Sequence, residues 1–250
     1  MELHPLAQRF AGVAAEYERG RPEYAPAAVG ALAAELHVRP GELVLDLAAG
    51  TGKLTRALIA GGFDVVAVEP QRSLRAVLEE RVASARVREG VAEQIPLPAA
   101  SVHAVTVADG FHWFDRPRAL DEIRRVLVPG GGLALLKTVP DWSGASWAHE
   151  LGTLVVRSRP EHPHFDGAPW QDFVRAAEGW GEPWEIRVTT HASVDLEGIL
   201  AHLASISWIA AMPEAQRKEE LGRMRELLHS GTAPDRMPLH VEIGLSRLVG

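Results

Sequence analysis

Short apolar runs alternate with amphipathic segments along the first 140 residues of the chain. The apolar runs predict buried strands at 43–47, 64–68, 102–108 and 132–139, and a weaker pattern predicts a strand near 87–89. Around them, apolar residues recur every three or four positions and predict helices at 22–36, 52–60, 71–83 and 116–127. Strands that alternate with helices need crossover connections. We therefore predict an α/β fold with a doubly wound, mostly parallel sheet.

The pattern changes after residue 140. Residues 141–184 are rich in Trp, Pro and His, and their weak periodicity predicts irregular structure with short helices. The elements predicted beyond them are a strand at 184–190, helices at 195–210 and 213–229, and a closing strand at 239–248. These strands bring the predicted sheet to seven. We expect a single domain, 1–250, in which 1–140 form the core with an N-terminal helix and 141–250 form a helical cap and the closing strands.

Composition narrows the classes of partner. The net charge is -7 and the chain has no run of Lys and Arg, which argues against a nucleic-acid surface. The chain contains no Cys, so disulfides, thiolate metal sites and a Cys nucleophile are excluded. No apolar run approaches the ~20 residues of a membrane span, and the first residues lack the apolar core of a signal peptide. We expect a soluble, cytoplasmic protein.

The stretch LVLDLAAGTGKLT, residues 43–55, is the strongest candidate for a ligand site. The predicted strand carries Asp46 near its end, and the chain then turns through small residues that include Ala48, Gly50 and Gly52. A loop with so few side chains lets a ligand approach the main chain. Dinucleotides such as NAD and S-adenosylmethionine are the two cofactor classes that use such a loop.

Two further positions bear on the choice between these cofactors. Glu69 ends the second predicted strand, where a carboxylate can accept hydrogen bonds from both hydroxyls of a ribose in either cofactor. The dinucleotide fingerprint G-x-G-x-x-G requires a third glycine, and that position holds Thr55. The dinucleotide pattern is therefore only partly matched.

Four segments, in order and spacing, resemble a known family. They are VLDLAAGTGKLT, VVAVEP, GVAEQIPLPAASVHAVTVADGFHWFD and EIRRVLVPGGGLALL. Together they resemble the successive motifs of class I S-adenosylmethionine-dependent methyltransferases, with a Rossmann-like fold. Within that class the chain looks most like the type 11 enzymes, and especially their trans-aconitate methyltransferase-like branch. That branch carries an N-terminal Y...RP.Y element, which matches Tyr17, Arg21, Pro22 and Tyr24.

The resemblance implies roles for the matching positions. The residues that it places around the cofactor are Tyr17, Arg21, Asp46, Ala48, Gly50, Gly52, Glu69, Pro70, Ala92, Glu93 and Asp109. It implies that Asp46 and the loop hold the methionine end and that Glu69 holds the ribose. Pro70 would cover one face of the adenine, Ala92 and Glu93 would meet its edge, and Asp109 would lie near the sulfonium. Tyr17 and Arg21 would form a lid, with Arg21 near a carboxylate.

The chain departs from the family pattern at two of these motifs. The family usually has Gly where this chain has Ala48, and often an acidic residue where it has Val91. A methyl group is tolerated at Ala48 if φ is negative there, whereas a positive φ would crowd it.

Several other side chains could have either a structural or a functional role. His112 follows a central strand, where it is either a general base or a packed histidine that shapes a pocket. Asp115 precedes a predicted helix and is expected to cap it. The segment EHPHFD, 161–166, resembles a metal cluster in composition, but its spacing favours a polar loop, so we predict no metal site. The six tryptophans between 142 and 208 form either ordinary core or the wall of an acceptor pocket.

From the sequence we predict a methyltransferase that moves the methyl group of S-adenosylmethionine to a small molecule. The acceptor atom is expected to be an oxygen of a carboxylate or hydroxyl rather than nitrogen or carbon. The alternatives are an NAD(P)-dependent oxidoreductase with a Rossmann fold and a non-catalytic S-adenosylmethionine-binding protein. The sequence does not indicate the acceptor's identity or the oligomeric state.

Overall fold

A computed structural model describes residues 14–141, 146–157, 167–229 and 235–249. The chain divides into two compact units. The first, here called the sheet unit, comprises 23–138, 166–188 and 241–250. The second, the helical unit, comprises 1–22, 139–165 and 189–240. The expectation that 1–140 and 141–250 form the two parts of one domain differs from this division, because the chain enters and leaves the sheet unit more than once.

A seven-stranded sheet has the order β3-β2-β1-β4-β5-β7-β6. The strands are β1 Leu43–Leu47, β2 Asp64–Val68, β3 Arg86–Arg88, β4 Val102–Ala108, β5 Leu127–Pro140, β6 Trp184–Ser193 and β7 Arg236–Arg247. Strands β1 to β5 pair in parallel. β7 lies between β5 and β6 and makes the sheet mixed. The predicted doubly wound, mostly parallel sheet is confirmed.

Helices connect these strands. Their bounds are α1 Ala14–Gly20, α2 Pro26–Leu36, α3 Lys53–Ala60, α4 Arg72–Arg81, α5 Arg116–Val126, α6 Ser146–Arg157, α7 Trp170–Ala176, α8 Leu196–Ala204, α9 Ser207–Ala210 and α10 Glu214–His229. A short 3-10 helix, Phe111–Trp113, follows β4. The predicted helix at 22–36 begins only at Pro26, where the fixed φ of proline suits the first helical turn. The predicted helix at 195–210 is interrupted at Ser205 and Ile206 and forms α8 and α9.

Alternating side chains of the central strands supply two apolar cores, one on each face of the sheet. Leu45 and Val66 belong to the cluster that also holds Leu120 of α5. Their neighbours Val44 and Val65 belong to the opposite cluster, with Leu32 of α2. Successive residues of a strand point to opposite faces, so a strand that is apolar throughout is buried on both sides. This burial explains why the central parallel strands β1, β2 and β4 are largely apolar in the sequence.

The helical unit has its own apolar cluster, which includes Leu151, Ile199, Leu203 and Met224. Within this unit α1 packs closely on α8. A Cβ at Gly20, the last residue of α1, would lie 1.9 Å from the main-chain nitrogen of His202, so this contact admits no side chain. His202 is buried on α8, and burial lowers the pKa of its imidazole to about 3.

Three of the tryptophans pack as ordinary core of the sheet unit. Trp170 and Trp180 join the cluster on the α5 face, and Trp184 packs on the opposite face. Among the described residues no helix is long and apolar enough to cross a membrane. The segment 161–166 lies outside the described residues. In the part that the structure describes, no group of three or more His, Asp or Glu side chains is placed to hold a metal ion.

Candidate functional site

The residues predicted from the loop and the strand ends meet at the carboxyl edge of the sheet. Asp46 lies near the end of β1, Glu69 directly follows β2, and Asp109 directly follows β4. β1 pairs with β2 on one side and with β4 on the other, so the order of the strands reverses at β1. Open α/β sheets bind their ligands outside the carboxyl ends of the strands at such a reversal.

The loop between β1 and α3 is held in an unusual main-chain conformation. Ala48, Gly50 and Gly52 all have positive φ, at 58°, 58° and 87°. Gly52 is favoured by its φ of 87°, and a Cβ there would also lie 2.7 Å from the side chain of Leu78 in α4. A Cβ at Gly50 would meet no atom of the described residues within 4 Å. The loop therefore turns one glycine toward α4 and leaves open space beside the other.

Ala48 adopts the conformation in which a methyl group is crowded, since its φ is positive. This conformation costs a residue with a Cβ roughly 1–2 kcal/mol, and a glycine none of it. Replacement by glycine also increases the conformational entropy of the unfolded chain, which cancels about 0.4–1 kcal/mol of this gain in stability. We expect Ala48→Gly to raise the free energy of unfolding by about 0.5 kcal/mol or more, measured by urea denaturation.

The neighbouring residue provides the control for this prediction. Ala49 is not among the residues with positive φ. Ala49→Gly should therefore lower the free energy of unfolding, because it only increases the freedom of the unfolded chain. An equal loss of stability in both variants would contradict the account of Ala48.

Glu69 is buried, and its carboxylate is held by main-chain donors. The amide of Gly50 donates to Oε2 at 2.9 Å, and the amide of Gln71 donates to Oε1 at 2.8 Å. Burial raises the pKa of Glu69, although these two hydrogen bonds and the nearby Arg75 act in the opposite direction. Each carboxylate oxygen can accept a further hydrogen bond. The carboxylate thus ties the loop between β1 and α3 to the end of β2.

Asp46 is fully buried, and its carboxyl group has a raised pKa. Its Oδ2 accepts a hydrogen bond of 2.6 Å from the hydroxyl of Thr55. Its Oδ1 is buried without a hydrogen-bond partner among the described residues. Burial raises the pKa of Asp46 to about 7, and the charge of Glu69 adds to the rise. A buried acceptor of this kind is stabilised by any cation or donor brought near it.

Arg75 positions the loop after β2, a role that the sequence analysis did not assign. Its Nη1 donates to the carbonyl oxygens of Glu69 at 2.9 Å and of Pro70 at 2.6 Å. Its Nη2 forms an ion pair with Glu89 at 2.6 Å. The arginine therefore fixes the main chain on which the predicted ribose and adenine contacts lie. Its position one helical turn after Gln71, the N-cap residue of α4, was the available signal.

Asp109 follows β4 with a positive φ of 51°. The hydroxyl of Tyr24 donates to its Oδ2 at 3.4 Å, so the tyrosine of the N-terminal element reaches the end of β4. A Cβ at the following residue, Gly110, would lie 3.3 Å from that of Ala48. The loops after β1 and β4 thus approach each other closely, as the predicted roles of both require.

An ion pair between the buried Lys53 at the start of α3 and the exposed Glu23 was also missed. Lys53 is buried directly after Gly52, and its Nζ lies 2.8 Å from Glu23. Arg56 reaches the same carboxylate at 2.7 Å. Burial alone would raise the pKa of Glu23, but the two cations outweigh this effect and lower it. These ion pairs therefore connect the segment before α2 to α3, the helix that follows the loop after β1.

The two residues predicted to meet the edge of the adenine, Ala92 and Glu93, differ in their surroundings. Ala92 is buried in the core, and the carboxylate of Glu93 accepts a hydrogen bond of 2.8 Å from the amide of Asp115. Asp115 occupies the N-cap position of α5, as predicted, but its side chain makes no capping hydrogen bond. The contact of Glu93 with adenine stays a prediction.

His112 and Trp113 lie in the 3-10 helix after β4. Their ring centroids are 4.3 Å apart, with the ring planes tilted by 50°. Both side chains are half-buried. A tight turn brings neighbouring side chains closer than an extended one does. The two rings therefore form one aromatic wall beside Asp109.

Tyr17 and Arg21 belong to the helical unit. The Arg21 side chain donates from Nε to the hydroxyl of Ser205 at 3.1 Å, and its guanidinium lies 5.4 Å from the centroid of the Tyr17 ring. Their predicted contact with the cofactor stays a prediction.

The residues at the carboxyl edge fit a cationic adenosine cofactor. S-adenosylmethionine carries a sulfonium, an ammonium and a ribose diol, all of which are stabilised by carboxylates or acceptors. The carboxylates of Asp46, Glu69 and Asp109 lie at this edge, and Asp46 offers a buried oxygen that has no hydrogen-bond partner among the residues that the structure describes. The open space beside Gly50 lets a ligand approach the main chain.

Comparison with known proteins agrees with this geometry. A family model described as a methyltransferase domain matches residues 45–135. The uncharacterized methyltransferase Rv3342 of Mycobacterium tuberculosis is 38% identical over 229 residues, which cover 89% of this chain and 86% of that protein. The uncharacterized methyltransferase C25B8.09 of Schizosaccharomyces pombe is 30% identical over 89% of this chain and 88% of its own length.

Solved structures show the same fold. The YcgJ protein of Bacillus subtilis aligns over 89% of this chain and 98% of its own, with a TM-score of 0.56 and 17% identity. At this identity the likeness concerns the fold alone.

Proposed function

Because the chain belongs to the class I S-adenosylmethionine-dependent methyltransferases, we propose that it transfers a methyl group to an oxygen atom of a small molecule. The proposed acceptor group is a carboxylate or a hydroxyl. The observation that carries the proposal is the convergence of Asp46, Glu69 and Asp109 at the carboxyl edge of the sheet, around a loop with open space beside Gly50.

Each of these residues has a proposed task in holding the cofactor. Glu69, held by two main-chain amides, accepts hydrogen bonds from the ribose hydroxyls. Asp46 stabilises the positively charged methionine end through the carboxylate that Thr55 orients. Asp109, in contact with Tyr24, lies toward the reacting end. Pro70, whose carbonyl is fixed by Arg75, covers the adenine.

When bound, S-adenosylmethionine supplies a methyl group already activated by its sulfonium, so the protein needs chiefly to align the acceptor and exclude water. A carboxylate acceptor is ionised at neutral pH and needs no general base. The half-buried pair of His112 and Trp113 provides an aromatic wall suited to shielding such an acceptor. A hydroxyl acceptor would require a base, and His112 is the candidate for that role.

We expect His112→Gln to raise the Michaelis constant for the acceptor and to leave the pH dependence of kcat unchanged. This result follows if the imidazole shapes the pocket and removes no proton. Steady-state kinetics with the acceptor, across pH, make the measurement. Trp113→Phe, which keeps a ring beside residue 112, is the matched control and should change little. If His112 is instead the base, kcat should fall by about 10² to 10⁴ in the His112 variant alone.

A methyl-transfer screen over small carboxylic acids, phenols and alcohols tests the proposal itself. Transfer of label from S-adenosylmethionine to a carboxylate or hydroxyl oxygen would support it. Label found only on nitrogen or carbon would overturn the choice of oxygen. A screen without transfer to any acceptor would favour the non-catalytic alternative.

A further inference from the structure

The helical unit contains a groove of about 650 Å³ that no role described above uses. Three helices line it, namely α1, α8 and α10. The groove contains none of the residues predicted to hold the cofactor. Its volume lies within the range of small-molecule sites, roughly 300–1,000 Å³.

The floor of the groove is apolar. Leu200, Ala201 and Ala204 of α8 face Leu221 of α10 across it. Beside Leu221, Gly222 exposes main chain to the groove, and a Cβ there would meet nothing within 4 Å. The absence of a side chain at this point of α10 leaves room that a larger residue would fill. An occupant of this floor must itself be apolar along part of its length.

The rim of the groove carries charge of both signs with one positive charge in excess. Its cations are Arg19, Arg217, Lys218 and Arg225, and its anions are Glu16, Glu197 and Glu214. Arg225 is satisfied by Glu197, with two contacts of 2.7 Å and 3.2 Å. The excess of one positive charge suits a monoanion, whereas a dianionic phosphate would leave the lined groove negative.

The side chain of Arg217 makes only long polar contacts within the described part of the chain. Its Nη2 lies 3.4 Å from the carbonyl oxygen of Ala204 and 3.6 Å from Glu16, which are long for charged hydrogen bonds. Its Nε is buried and lacks a hydrogen-bond partner within the described part of the chain. Guanidinium groups bind carboxylates through two parallel hydrogen bonds. A carboxylate in the groove would give Nη2 a shorter, charge-assisted hydrogen bond in place of these long contacts.

We propose that the groove between α1, α8 and α10 binds a small amphipathic carboxylate, with its apolar body on the Leu200–Leu221 floor and its carboxylate on Arg217. This site is additional to the cofactor site and does not depend on the proposed acceptor. The groove's apolar floor selects the body of the ligand, and its single excess positive charge selects the head group.

Calorimetry with octanoate as the probe tests the proposal on the full chain. Octanoate should bind, and octylammonium, which has the same body and the opposite charge, should bind at least about tenfold more weakly. Arg217→Met should weaken octanoate binding by about tenfold or more. Arg223→Met is the matched control, since Arg223 lies on the same helix, pairs with Glu219 and does not line the groove.

A second pair of variants tests the floor. Gly222→Leu adds a side chain into open space on a helix, so the protein should fold and lose octanoate binding. Gly30→Leu adds the same side chain to α2, where a Cβ also meets nothing within 4 Å, and should leave binding unchanged. Equal binding of octylammonium, octanoate binding that survives Gly222→Leu, or no octanoate binding at millimolar concentration would overturn the proposal.

Discussion

Glu69→Gln is expected to lower the affinity for S-adenosylmethionine and for S-adenosylhomocysteine by tenfold or more, about equally. The glutamine replaces one carboxylate oxygen by an amide NH2, which would face the amide of either Gly50 or Gln71 and displace it. It also removes the charge that the ribose hydroxyls require, and a hydrogen bond to a charged group contributes roughly 1.5–3 kcal/mol. The ribose is common to both ligands, so both should lose affinity. Calorimetric titration of each ligand measures the effect.

Asp64→Asn is the matched control for this prediction. Asp64 begins the same strand whose end leads to Glu69, and it forms an exposed ion pair of 3.0 Å with Arg86. The variant removes the same charge from the same strand but at the opposite edge of the sheet. Its affinity for both ligands should stay at the wild-type value. Unchanged affinity in a folded Glu69→Gln protein would remove Glu69 from the cofactor site.

Asp46→Asn is expected to weaken cofactor binding by tenfold or more at pH 8 and to abolish its dependence on pH. In the wild-type protein burial raises the pKa of Asp46 to about 7, so the carboxyl group is largely protonated below neutral pH. A cationic ligand favours the ionised form. Affinity should therefore rise as pH increases from about 6 to 8, with release of a proton on binding. Calorimetry in buffers of different ionisation enthalpy measures that proton.

The same carboxyl group makes the stability of the free protein depend on pH. The pKa of Asp46 is higher in the folded protein than its ordinary value of 3.8. The stability that its proton contributes is fully present below that ordinary value and is lost as pH rises through about 7. We expect the free Asp46→Asn protein to lose less stability than the wild type between pH 5 and pH 8. Equal losses in the two proteins would contradict the raised pKa.

Thr55→Val distinguishes the charge of Asp46 from its hydrogen bond. The variant removes the 2.6 Å hydrogen bond and leaves the carboxyl group in place. That bond lowers the pKa of Asp46, so its loss should raise the pKa further. The pH at which cofactor affinity rises should then move upward in the variant. If Thr55→Val instead weakens cofactor binding and abolishes its dependence on pH, as Asp46→Asn is expected to do, the loss of affinity comes from altered structure and not from the charge of Asp46.

The sheet could be predicted from the sequence because its strands are buried on both faces. Largely apolar segments such as 43–47 and 102–108 are typical of strands that are buried on both faces. The loop after β1 could be predicted from its small residues. The carboxylates Asp46 and Glu69 could be placed for the same reason, since each ends or follows such a run. Their shared edge is a consequence of parallel pairing.

Other features depend on contacts between distant segments and could not be read from local patterns. The ion pairs of Lys53 and Arg56 with Glu23 join segments about thirty residues apart, and nothing in either segment alone specifies the partner. The positive φ of Ala48 is imposed by the loop around it, against the residue's own preference. The tight turn at His112 was missed because the sequence there carries no glycine or proline after Gly110 to mark it.

The helical unit was the least predictable part. The segment before residue 23 belongs with α8 and α10, and the close contact at Gly20 that joins α1 to α8 involves residues about 180 positions apart in the chain. Such packing depends on the three-dimensional arrangement rather than on the periodicity of either helix.

Calorimetric titration of the wild-type protein with S-adenosylmethionine, S-adenosylhomocysteine and NAD tests the central claim most directly. The account predicts that the two adenosyl sulfur compounds bind at one site and compete with each other, and that NAD does not bind. Saturable binding of NAD alone, with no heat from either adenosyl sulfur compound, would contradict it.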